Sequence, residues 1–158
     1  MKVFNRILAP IDFSESSRRV LEYALTLGSA LDAEVLVLHV VDHRTMRSMP
    51  YSYGQVDEGY LSEKSQEEMA EEIRAVMARE IREGVTFEHR VRVTTQVGYG
   101  VPYDQIVKAA QEKKIDFIVM GAKGGTALEK IFLGGVAEKV SRHAPCPVFL
   151  VRPRQTLG

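Results

Sequence analysis

A single cysteine, Cys146, rules out any internal disulfide, and without a His/Cys cluster at ligand spacing the zinc-ribbon and dithiol redox classes fall away too. A reducing, cytoplasmic compartment is the simplest reading of that scarcity. Charge of one sign is also lacking: 21 Lys and Arg meet 21 Asp and Glu, with no basic stripe along the chain, which removes the electrostatic footprint of a nucleic-acid binder. No apolar run approaches the ~18 residues needed to cross a bilayer. The opening MKVFNRILAPIDF, broken by Pro10 and Asp12, reads as neither signal peptide nor anchor. What is present is a chain of 158 residues, 45% hydrophobic, expected to form one domain over 1–158. A chain of that length buries roughly 68–70% of its unfolded surface and needs no covalent staple.

Patterning divides the chain into strands and helices in alternation. Residues 3–9 (VFNRILA) are short, apolar and β-rich and stop at Pro10, as a buried strand running into a loop would. Ser14 is placed to N-cap a helix through Val20, Leu21, Ala24, Leu25, Gly28 and Leu31, ending near residue 32. Residues 34–41 (EVLVLHVV) are nearly continuous in aliphatic side chains, the pattern of a strand covered on both faces. The stretch 42–61 has no period and carries Pro50, Gly54, Gly59 and three tyrosines; it reads as a long loop acting as a lid, a partner surface or a disordered segment. From Ser62 to Glu83, Met69, Ile73, Val76, Met77 and Ile81 share one face of a solvated amphipathic helix.

Residues 85–97 alternate as an edge strand does, and Pro102 suits the first turn of a helix carrying Ile106, Val107, Ala109 and Ala110, with Lys113 and Lys114 at its end. A strand over 116–120 ends at Gly121, a short helix holds Val136, Ala137 and Val140, and 148–152 (VFLVR) forms a last strand. Strands alternating with helices imply an α/β protein with an open parallel sheet, helices on both faces and right-handed crossovers.

In such sheets ligands bind outside the carboxyl ends of the strands, where strand order reverses. Two strand ends carry residues fit for that place: Ala9-Pro10-Ile11-Asp12, and Met120-Gly121-Ala122-Lys123-Gly124-Gly125. Five of the twelve glycines fall between Gly121 and Gly135, where a backbone without Cβ atoms can approach a phosphate. Gly134-Gly135 then opens a helix whose free amides and positive dipole end favour anions. No Gly-Lys-Ser/Thr tripeptide makes a Walker loop, and Gly98-x-Gly100 fails the dinucleotide fingerprint at its third glycine. On spacing alone, glycines serving turns and close packing remain an equal explanation.

Taken together, Pro10-Ile11-Asp12-Phe13-Ser14, Leu38-His39-Val40, Gly100-Val101-Pro102, Met120-Gly121-x2-Gly124-x9-Gly134, Val136-Ala137-Glu138-Lys139-Val140 and Ala144-Pro145-Cys146-Pro147-Val148 resemble the universal stress protein family along the whole chain. The resemblance implies a Rossmann-like, adenine nucleotide alpha hydrolase-like fold with five parallel strands in the order 3-2-1-4-5. It implies that members with this glycine segment followed by Ser or Thr bind ATP. Carried onto this chain, Asp12, with Pro10 and Ile11, and the backbone of Val40 would hold the adenosine part; Met120, Gly121, Gly124, Gly134 and the amides of Gly135, Val136 and Ala137 would hold ribose and phosphates. Magnesium would enter only through the phosphates.

Position 135 departs from the pattern, with glycine where a hydroxyl residue is usual. One hydrogen bond to a charged group is worth roughly 1.5–3 kcal/mol, about ten- to a hundredfold in affinity. Lys123 and Lys130 are placed to offset part of that loss, and AMP or ADP enter beside ATP as expected ligands. The resemblance also implies homodimers through the last strand, whose apolar edge at 148–152 calls for cover.

Asp12 has two readings, a cap for the helix near Ser14 or a ribose ligand. His39 reads as a satisfied buried histidine; His43, His89 and His143 have no partner by spacing. Cys146, between two prolines, reads as a small hydrophobe. Tyr51, Tyr53, Met46 and Met49 could cover an adenine or belong to a partner-binding segment. Three functions stand: a cytoplasmic nucleotide-dependent regulatory protein of the stress response, a slow ATPase or self-phosphorylating protein, and an interaction module that binds no nucleotide. The second needs a base or water-positioning group, for which the chain offers no candidate; Thr126 and Ser141 are phosphate acceptors without a spacing argument. No catalytic residue and no metal ligand is expected.

Overall fold

The computed structural model describes residues 3–42, 63–84, 90–123 and 133–153. Strands and helices alternate as β1 (Arg6–Ile11), α1 (Glu15–Leu31), β2 (Glu34–Val41), α2 (Glu63–Gly84), β3 (Val93–Tyr99), α3 (Pro102–Glu112), β4 (Phe117–Gly121), α4 (Gly135–His143) and β5 (Val148–Val151). All pairings are parallel, as the alternation of strands and helices predicts, and the order is β3-β2-β1-β4-β5, as the family resemblance implies.

The apolar runs sort onto two faces because successive strand residues point oppositely. Ile7, Ala9 and Ile11 of β1 join Val20, Leu21, Ala24 and Leu25 of α1 and Met77 of α2. Leu8 points the other way, onto Ile106 and Ala109 of α3 and Val140 of α4. Ile7, Leu8 and Ala9 are each fully buried, so this central strand has no solvent face to mark with polar residues. Arg18 reaches across from α1 to Glu80 and Glu83 of α2, at 3.3 and 2.6 Å; with Arg18 largely exposed, each pair is worth under about 1 kcal/mol and the apolar face holds α2 in place.

Two strands differ in their boundaries from the sequence expectation: the first, expected over 3–9 and to stop at Pro10, occupies Arg6–Ile11, because β2 offers Leu38 and His39 opposite Pro10 and Ile11. The third strand, expected over 85–97, occupies Val93–Tyr99. Among the described residues its one neighbour is β2, whose pairing begins at Val35 with Val93 and continues to Val41 with Tyr99, so the ladder exists where β2 offers it; residues 85–89 lie outside the described residues. Of the long loop, Asp42 alone is described. Pro102 stands in the first turn of α3, and both sheet edges, β3 and β5, are where the alternating and short strands were expected.

α1 lies close against the sheet at Gly28, where a Cβ would come within 2.6 Å of Val35 Cγ2 and 2.7 Å of Val91 Cγ2. Replacing Gly28 by Ala is expected to lower stability by about 1–3 kcal/mol through overpacking. Gly135→Ala, where an added Cβ meets nothing within 4 Å, is expected to leave stability unchanged or raise it by up to about 1 kcal/mol. Urea unfolding of both variants checks the contrast.

Candidate functional site

Strand order reverses between β1 and β4, and the chain leaves these two strands in opposite directions. From β1 it turns through Asp12, Phe13 and Ser14 into α1. From β4 it passes Gly121, Ala122 and Lys123 and returns at Leu133 to start α4. The return is pinned: the Gly134 amide donates to the Ala122 carbonyl at 2.8 Å, and the Ala122 amide donates to the Val151 carbonyl at 2.9 Å. A Cβ at Gly121 would sit 3.3 Å from the Lys123 carbonyl oxygen, tight against this turn.

The start of α4 is thereby seated beside the end of β4. Its first intrahelical bond from the cap runs from the Glu138 amide to the Gly134 carbonyl at 2.9 Å. The amides of Gly135, Val136 and Ala137 precede that bond and have no acceptor within the helix, which leaves a positive end for an anion. Gly135 and Val136 are exposed, whereas the Ala137 side chain is packed in the core and offers its backbone only. Among the described residues nothing lies within 4 Å of the place a Cβ on Gly135 would take.

Alternation along the strands places the other predicted residues. Pro10 is half-buried and lies on the α3/α4 side of β1, as Leu8 does; Val40 packs beside the same core and Met120 is part of it. Ile11 belongs to the opposite face, its side chain buried among the α1 residues, so only its backbone can take part. Lys123 is half-buried at the end of β4. Gly124, Lys130, Thr126 and the four residues proposed to cover an adenine lie outside the described residues. Pro10, Asp12, Val40, Gly121, Lys123 and the 134–137 segment thus share the carboxyl edge of the sheet around the switch point.

Asp12, not the Ser14 hydroxyl, ties down the approach to α1 with its side chain, without accepting an amide of the helix itself. Ser14 occupies the N-cap with extended backbone but makes no side-chain cap bond. Asp12 Oδ1 instead accepts from the Ser14 amide at 2.9 Å and from the Ser17 hydroxyl at 3.2 Å, while Ser17 Oγ accepts from the Asp12 amide at 3.2 Å. The reason is geometric: Phe13, between them, has φ +61°, and this left-handed turn brings the carboxylate back over the helix start. For a residue with a Cβ that conformation costs roughly 1–2 kcal/mol. Ser17 and the Phe13 turn were not read from the sequence, where neither a serine in a helix nor a phenylalanine in a loop announces a special role.

His39 is half-buried on the α1/α2 side of β2 and its Nδ1 lies 2.9 Å from the Ile11 carbonyl oxygen, which only accepts; Nδ1 therefore carries the proton. The Phe13 ring tilts against the imidazole with centroids 4.5 Å apart. Burial holds the His39 pKa below its ordinary value, outweighing the bond to Ile11 and the Asp12 charge, which both act to raise it. Burial likewise raises the Cys146 thiol, as does the Asp116 charge, in keeping with an inert cysteine. Among the described residues no group of three His, Cys, Asp or Glu is placed to hold a metal, and no helix is long and apolar enough to cross a membrane. A surface depression of about 390 Å³ lined by Tyr103, Asp104, Val107, Lys108, Gln111 and His143 shares no residue with the switch-point edge.

These features define an open, doubly wound α/β protein. The sequence profile of the universal stress protein family matches residues 4–152. Universal stress protein MJ0531 of Methanocaldococcus jannaschii is 35% identical over 150 residues, covering 95% of this chain and 83% of that protein. The chain belongs to the universal stress protein family. Among solved structures, that of MJ0577 from the same organism has a TM-score of 0.75 at 27% identity, covering 98% of this chain and 99% of the other. Two more share the fold: a universal stress protein in complex with cAMP (TM-score 0.64, 18% identity, 94% and 97% covered) and one from Archaeoglobus fulgidus in complex with dAMP (0.61, 21%, 95% and 98%).

A folded-state pKa below 6.5 means the unfolded chain takes up the His39 proton first as pH falls. Stability from this group is complete above about pH 6.5 and is lost as pH drops from there toward the folded value. Urea unfolding at pH 7.5 and 5.5 is expected to show a larger acid loss for the native chain than for a His39→Asn variant, which has nothing to titrate at that position.

Proposed function

We propose that this chain is a cytoplasmic, nucleotide-dependent regulatory protein of the stress response that binds an adenine nucleotide, ATP or its mono- and diphosphate relatives, at the switch-point edge. One observation carries the reading: the Gly134 to Ala122 bond sets three helix-start amides, which have no acceptor within α4, beside the end of β4 and within the same edge as Asp12 and Val40. In this reading those amides take the phosphates, beside a strand edge where half-buried Pro10 and Val40 offer apolar surface to the base. The cAMP and dAMP complexes of two proteins of the same fold support adenine as the base.

In this reading the adenosine part rests against Pro10, Asp12, the Ile11 backbone and Val40, and the ribose and phosphates run along Met120, Gly121, Lys123, Gly124 and Gly134 to the amides of Gly135, Val136 and Ala137. Magnesium enters with the phosphates. Binding is the activity, and hydrolysis, where it occurs, is slow. Gly135 favours one alternative, a stress-related interaction module without a nucleotide, because the phosphate loses a hydroxyl partner there.

Two copies are proposed to pair through β5. This strand is a sheet edge, Phe149 is 44% exposed, and Tyr23 of α1 lies beside it with ring centroids 5.6 Å apart. An apolar edge of that kind is covered most simply by its own copy.

Calorimetric titration with Mg-ATP is expected to give saturable binding with Kd near micromolar, and Gly135→Ser, for which there is open space, is expected to tighten it by about ten- to a hundredfold. Silence in the native chain with binding in the Ser variant would establish the interaction module; silence in both would defeat the nucleotide reading. Sedimentation equilibrium is expected to show a dimer that Phe149→Glu converts to monomer.

A further inference from the structure

We infer that His39 is a positioning residue for the switch-point edge: from the far side of the sheet its Nδ1–H holds the last carbonyl of β1 while its ring backs Phe13, fixing the left-handed turn that aims Asp12. This rests on the nucleotide reading above and adds a residue to it. His39 alternates with Val37, whose side chain is in the α1 core, and so stands on the face opposite Val40 and Met120. It is therefore not placed to touch a ligand on their side.

Its contacts are to the two residues flanking Asp12. Ile11 pairs with His39 at the last register position of the β1 and β2 ladder, and beyond it β1 leaves the sheet. There the imidazole supplies a side-chain donor at 2.9 Å to the Ile11 carbonyl. One residue past Asp12, Phe13 adopts φ +61° with its ring against the same imidazole. A bulky residue persists in that region only where its surroundings over-determine it. His39 provides two of the determinants at once, and Ser17, buried within α1, provides the third by bonding Asp12 at both its amide and Oδ1.

The donor is separable from bulk. Asparagine presents an amide N–H near the position of Nδ1; leucine fills similar space with no donor. In long-range proton–nitrogen spectra of the native chain, His39 is expected with Nδ1 protonated and Nε2 bare. In His39→Leu, exchange of the Asp12 and Ser14 amides is expected to rise about tenfold or more, and AMP affinity to fall about tenfold. His39→Asn is expected to restore both to within about threefold. An Nε2–H tautomer, Asp12 and Ser14 amides indifferent to His39→Leu, or an Asn variant no better than Leu would each overturn the inference. A native chain that binds no AMP while its loop amides respond as stated would count against the nucleotide reading and uphold the positioning role.

Discussion

β1 is hydrogen-bonded in parallel to β2 on one side and to β4 on the other, and the remaining architecture follows from that double pairing. Parallel neighbours cannot be joined by a tight turn, so each connection must cross a face of the sheet as a helix. Helices on both faces leave Ile7, Leu8 and Ala9 without solvent contact, and the strand becomes a continuous apolar run. The chain leaving β1 and the chain leaving β4 then diverge onto opposite faces, and the carboxyl ends of the two strands border an opening that none of the described helices fills. The opening is a consequence of topology, and its chemistry depends on what the sequence places there.

What it places there is a set of polar groups divided between holding the fold and, in the proposed function, meeting a ligand. Asp12 Oδ1 is committed to α1 through Ser14 and Ser17, so the carboxylate is oriented before anything binds. Preorganisation of this kind lowers the ordering cost of association. The helix-start amides of α4 are held in place by backbone bonds to Ala122 and onward to Val151 of β5, which ties the phosphate end of the proposed site to the strand proposed to pair with a second copy. In the proposed function, a change at the amides on binding would have a short covalent and hydrogen-bonded route to that edge.

Most of the fold was legible because its elements obey simple periods: α1 shows three- and four-residue recurrence, β2 an unbroken aliphatic run, and Pro102 a helix start. The β3 boundaries were not, since the ladder follows β2 and local alternation from 85 onward carries no information about a neighbour. Of the site, the glycines and Asp12 were visible as residue types. That Asp12 is tied to the start of α1 was visible only as one of two options, because it depends on the conformation of Phe13. Ser17 and the pairing of His39 with Ile11 were invisible as a constellation: their partners are 5 and 28 residues away, and only folding brings them together. Gly135 conveyed a missing hydroxyl but not the open space around it.

The most direct test of the account is an amide chemical-shift titration of the nitrogen-15-labelled chain with AMP. The account predicts saturable shifts concentrated at Asp12, Val40, Gly121, Lys123 and the Gly134 to Ala137 segment. Shifts confined to the depression around Tyr103 and Lys108, or none up to millimolar AMP, would contradict it.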